Sequence, residues 1–123
     1  MSFAWRELLD IADALADLEL SVSREALFRS AISRAYYAAF GTARSQAGVL
    51  RASTRKSAAE HGELASFYAI RFGETGEQIA ALLSRLRVFR NGADYDATFN
   101  DAEAICEVAL KDAHDLLHLL ATL

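Results

Sequence analysis

Apolar residues recur along this chain at intervals of three and four, and nowhere in strict alternation. The first spacing gathers side chains on one face of an α-helix, whereas the second would mark a strand. Five helices follow. The first spans about Ala4 to Leu18, with Trp5, Leu8, Ile11, Ala12, Leu15 and Leu18 on its inward face. The second starts after Ser23, a residue suited to cap a helix N-terminus, and continues to about Val49. Ser57 and Glu60 have capping-box spacing and open a short third helix that reaches Phe72 and is ended by Gly73. Thr75 with Gln78 opens a fourth, carrying Ile79, Leu82, Leu83, Leu86 and Phe89. Asn100 with Glu103 opens a fifth, whose Ile105, Ala109, Leu116 and Leu120 face inward. No repeat, linker or low-complexity stretch intervenes. The expectation is an all-α, antiparallel four-to-five-helix bundle forming one domain over residues 1–123.

Two segments set polar groups among these apolar positions. In the second helix Ser30, Arg34, Tyr37, Gly41 and Arg44 share one narrow stripe, opposite Phe28, Ile32, Ala35, Ala39 and Ala43. In the fourth, Arg90 continues the line of Ile79, Leu83 and Leu86, so a guanidinium emerges on an otherwise inward face, with Asp94 one turn further on. A charge there needs a partner. One reading is an ion pair and hydrogen-bond network of Arg90, Asn91, Asp94 and Tyr95 that fixes a helix end and a turn at Gly92. The other is an anion site in which Arg34 and Tyr37 stand near Arg90 or face it across a two-fold axis. Tyr36 and Tyr37 serve packing more naturally than they serve as stacking platforms.

Composition narrows the class. At 123 residues, 53% of them apolar and none of them proline, the chain has enough material for one helical core and too little polarity for disorder. No stretch is long and apolar enough to span a membrane, and the acids among the first twenty residues spoil a signal peptide, so a cytoplasmic protein is the default. The net charge of −4 is unevenly spread: residues 22–59 carry seven cations against Glu25 alone, while both flanks are acidic. Such a basic segment binds phosphates or pairs with acidic neighbours as helices pack. The acidic total favours the second. Cys106 has no cysteine partner and falls in an amphipathic pattern, which marks a buried structural thiol. His114 and His118 have a zinc-ligand spacing, but Asp115 replaces the glutamate of the metalloprotease motif and no third ligand follows, so no metal is assigned. His61, in a first helical turn, reads as a turn-packing or surface residue more readily than as a ligand-facing one. Glycine-rich phosphate loops are missing, and no cofactor is expected.

The opening Trp5-Arg6-Glu7-Leu8-Leu9, the segment Ser33-Arg34-Ala35-Tyr36-Tyr37-Ala38-Ala39-Phe40, the His61-Gly62 pair with Phe67 and Phe72, and Arg90-Asn91 followed by Ala93-Asp94-Tyr95 resemble the HEPN domains (higher eukaryotes and prokaryotes nucleotide-binding), in particular their small stand-alone prokaryotic branch. The resemblance covers nearly the whole chain. It implies a helical bundle that forms a homodimer and, in many members, a metal-independent RNA endonuclease whose site lies across the dimer. It also implies a place in toxin–antitoxin or defence pairs, with a small nucleotidyltransferase as partner. The family's catalytic pattern is an arginine followed after four to six residues by a histidine. Arg90 and Asn91 match its first half, but Tyr95, Asp96 and Ala97 stand where the histidine should fall. A tyrosine hydroxyl or an aspartate carboxylate is a poor proton acceptor near neutral pH, whereas imidazole is suited to it. Arg90, Asn91 and Tyr95 are therefore the candidate catalytic set, and Arg34, Tyr37 and Asp94 the candidate ligand or interface set. The reading is a binding module for RNA, a nucleotide or a partner nucleotidyltransferase. An RNase toxin using Arg90 and a purely structural dimer are the alternatives.

Overall fold

The computed structural model describes residues 3–19, 21–48 and 58–123. Five α-helices make up the fold: α1 (Glu7–Asp17), α2 (Arg24–Gly48), α3 (Ala58–Arg71), α4 (Gly73–Tyr95) and α5 (Ala102–Ala121). There is no strand among the described residues. The all-α bundle expected from the apolar spacing is the architecture observed. The basic segment Arg51 to Lys56 and the cap at Ser57 lie outside the described residues.

α2 is the central helix because it is built to be surrounded. Ala31, Ile32, Ala35, Tyr36, Ala38, Ala39 and Ala43 are all at most 1% exposed, and the small alanine side chains among them let α1, α4 and α5 approach closely. Ser23 caps it as expected, its Oγ accepting the Ala26 amide proton at 3.1 Å. Gly41 lies beneath the Trp5 indole, where a Cβ would come within 2.4 Å of the ring, so close helix packing accounts for this glycine. In α1 the inward face is rotated from the expected one. Leu9 and Ala12 are buried, while Ile11 and Leu18 are exposed, because the helix leans on α2 along the Leu9 edge.

Two of the expected helix starts are wrong for the same reason: backbone conformation, not a side-chain cap, sets them. α4 begins at Gly73, whose φ of +57° lets the chain reverse directly after α3, and Thr75 is already helical. α5 begins after Asp101, also left-handed at φ 58°, and Asn100 does not cap it. At the α3–α4 elbow Gly76 sits against Tyr68, where a Cβ would be 1.9 Å from the Tyr68 carbonyl oxygen. The Tyr68 hydroxyl donates to the Ala43 carbonyl at 2.6 Å and fastens α3 to α2. Across the other side, Arg85 grips the buried carboxylate of Asp112 through two hydrogen bonds of 2.7 and 2.6 Å, joining α4 to α5.

No turn forms at Gly92: α4 runs through it to Tyr95. Its missing side chain makes room for the Phe99 ring, which a Cβ would meet at 2.8 Å. The end of α4 is finished by Arg29 of α2, which donates to the carbonyls of Ala93 (3.1 Å) and Asp96 (2.7 Å), satisfying acceptors that a helix end leaves open.

Candidate functional site

The C-terminal half of α4 packs against α2 on one side and the start of α3 on another, and this junction holds most of the polar side chains singled out in the sequence. Arg90 is 6% exposed. Its guanidinium carbon lies 5.4 Å from the ring centres of both Tyr36 and Tyr37 and 5.6 Å from that of Tyr95. Its Nη1 is 3.8 Å from Asp94 Oδ2 and 3.5 Å from the Tyr95 hydroxyl. Asp94 in turn accepts a hydrogen bond from Ser33 Oγ at 3.2 Å. A buried charge of this kind is tolerable because aromatic faces and a carboxylate replace the water it has lost. The inward guanidinium thus has a partner for Nη1 one turn along the helix, while its buried Nε has none among the described residues.

Of the remaining candidates, Arg34 stacks over Tyr37 at 5.6 Å and so joins the cluster from outside. Tyr95 is 75% exposed. Asn91 is exposed as well, but faces a different way, into a second feature.

That feature is a pocket of about 270 Å³ between α2, α3 and α4, lined by Tyr36, Phe40, His61, Gly62, Leu83, Ser84, Arg87, Val88 and Asn91. His61 stacks on Phe40, ring centres 4.5 Å apart, and its Nδ1 meets the Tyr36 hydroxyl. Burial, then the positive charges of Arg87 and Arg90, hold the imidazole below its ordinary pKa against the opposing charge of Glu60. Burial also pushes the Tyr36 hydroxyl well above the usual tyrosine range. Arg87 has no ion-pair or hydrogen-bond partner among the described residues, and its Nε is buried. Arg87 did not stand out in the sequence, and His61 read there as a packing or surface residue more readily than as a ligand-facing one. Only the docking of α3 brings them together, although Ser84, Arg87 and Asn91 do share a helical face at three- and four-residue spacing.

A larger groove of about 610 Å³ between α4 and α5 includes Arg85, Asp115 and His118. Its charges are already engaged, Arg85 by Asp112 and Asp115 by Lys111 at 2.7 Å. His114 pairs with Asp13 at 3.0 Å across to α1, and the two histidines of α5 hold no common ligand set: no group of three or more metal-binding side chains occurs among the described residues. Cys106 is a free, buried thiol whose pKa burial raises to about 11. No described helix is long and apolar enough to cross a membrane.

Fold and site together define a class: an all-α bundle that gathers arginine, tyrosine and asparagine at the end of one helix. The HEPN domain family model matches residues 5–123, and the chain belongs to that family. No curated protein and no solved structure matches the chain.

Proposed function

We propose that this HEPN chain is a homodimeric binding module that engages RNA or a nucleotide in the cytoplasm and pairs with a nucleotidyltransferase in a toxin–antitoxin or defence system. The observation that carries binding over cleavage is the state of Arg90. Its charge is enclosed by three tyrosine rings and opposed by Asp94, so it has little left to offer a developing transition-state charge. The imidazole that comes nearest, His61, has one nitrogen engaged by Tyr36. Family membership supports the paired-system part.

Homodimerisation is supported by the outer row of α4. Ala81, Ser84, Val88, Asn91 and Tyr95 are all exposed, uncharged and spaced alternately by three and four, the period of a seam between two helices. A two-fold axis along this row would present each candidate residue twice. Sedimentation equilibrium tests it: Val88→Arg is expected to yield monomers from a wild-type dimer.

Purified protein incubated with mixed structured and single-stranded RNA in EDTA is expected to retain RNA without cutting it. Cleavage that disappears in Tyr95→Phe would assign an RNase instead. Binding neither RNA nor nucleotide would leave a structural dimer.

A further inference from the structure

The pocket beside the Arg90 cluster has a definite donor pattern. Tyr36 is 1% exposed, and no described group other than His61 Nδ1 meets its hydroxyl. A buried hydroxyl proton without an acceptor is costly, so Tyr36 donates and Nδ1 accepts. The single proton of the neutral imidazole then sits on Nε2, where it is a donor. His61 is consequently a hydrogen-bond donor with no free basic nitrogen. Arg87 adds an unpaired cation, and Asn91 and Ser84 add an amide and a hydroxyl. Among the described residues no carboxylate lines the pocket, and Glu60, next to His61 in sequence, is bonded to Arg44. Donors from two helices thus converge on a space whose only formal charge, among the described residues, is positive.

We propose that this pocket binds a phosphate group, held by Arg87, Asn91 and Ser84 from α4 and by the Nε2 proton of His61 from α3. The proposal rests on the reading of the chain as a binder of RNA or nucleotide and narrows it to one chemical group and one place. A guanidinium surrounded by neutral donors matches the several oxygens of a phosphate, as such forks do in other phosphate sites. The volume of about 270 Å³ is below the usual range for drug-sized ligands and admits a phosphate with its sugar. The phosphate comes either from a free nucleotide or from an RNA strand, and the chemistry of the donors is the same for both.

Calorimetric titration with inorganic phosphate, adenosine, adenosine 5′-monophosphate and a short single-stranded RNA separates these cases. Adenosine 5′-monophosphate or the RNA is expected to bind, with adenosine much weaker. The preference between those two names the source. Arg87→Gln is expected to weaken binding by about tenfold or more, the scale of one charged hydrogen bond. Gly62→Asp, on α3 and outside the α4 row, where a Cβ meets nothing within 4 Å, should abolish it by placing a carboxylate among the donors. Thermal melts confirm that each variant is folded. If the wild type binds RNA or nucleotide and both folded variants bind it equally, the pocket is overturned while the binding-module reading stands. Adenosine binding as tightly as its monophosphate overturns the phosphate. If the wild type binds neither RNA nor nucleotide, both readings fall.

Discussion

Arg87 and Arg90 stand one turn apart on α4, yet they live in opposite circumstances. Arg90 is enclosed by three aromatic rings and pairs with Asp94 through Nη1, only its Nε lacking a partner, while Arg87 lines a pocket with no ion-pair or hydrogen-bond partner among the described residues. The difference lies in what packs against each. α2 presents Tyr36, Tyr37 and Ser33 to Arg90, whereas α3 presents one imidazole to the space beside Arg87. Side-chain type is therefore no guide to role on this helix: one arginine maintains the structure, and the other is available to a ligand.

The sharpest way to break this comparison is to truncate both. Arg90→Ala leaves a void among the tyrosines and takes the cation from an exposed Asp94, and is expected to cost about 2 kcal/mol in urea denaturation, the scale of truncating a buried, packed side chain. Arg87→Ala is expected to stay within about 0.5 kcal/mol of the wild type, as for a side chain that bonds to nothing. Equal losses would erase the distinction. Ser33→Ala is expected to cost about 1 kcal/mol by removing the Asp94 hydrogen bond, measured by the same unfolding curves.

A smaller effect concerns acid. His61 is faced by Tyr36 from α2, by Arg87 and Arg90 from α4 and by Glu60 on its own helix, and its folded pKa lies below the ordinary 6.5. The unfolded chain therefore takes up the proton first. The stability tied to neutral His61 is complete above pH 6.5 and declines as pH falls through the folded value. In His61→Gln, which still offers the Tyr36 proton an acceptor but does not titrate, the unfolding midpoint between pH 7 and 5 should fall less steeply than in the wild type. The smallest change is expected from Tyr95→Phe, less than about 0.5 kcal/mol, because the hydroxyl is exposed and only 3.5 Å from Arg90 at best.

How far the sequence foretold these features follows from the range of the interactions involved. Helix content and the Arg90–Asp94 pair were legible because both are written in i to i+4 spacing. The capping pairs Thr75–Gln78 and Asn100–Glu103 misled, since left-handed residues at Gly73 and Asp101 start those helices without a side chain's help. The turn placed at Gly92 misled too: the glycine clears a path for Phe99, a contact seven residues away. Ile11 and Leu18 were assigned to the core by periodicity alone, which cannot tell by what angle a helix leans on its neighbour. His61 and Arg87 were missed as a pair because 26 positions separate them along the chain, and only the α3–α4 elbow makes them neighbours.

That elbow has one more consequence. With the Tyr68 carbonyl pressed where a side chain at Gly76 would begin, α3 and α4 have no slack at their join. His61 on one arm and Arg87 on the other are thus the tips of a single rigid caliper, whose opening is set near its pivot, far from either jaw. A substituent at Gly76 has to push the Tyr68 carbonyl aside, so the separation of the two jaws is governed from a point that no ligand in the pocket would touch.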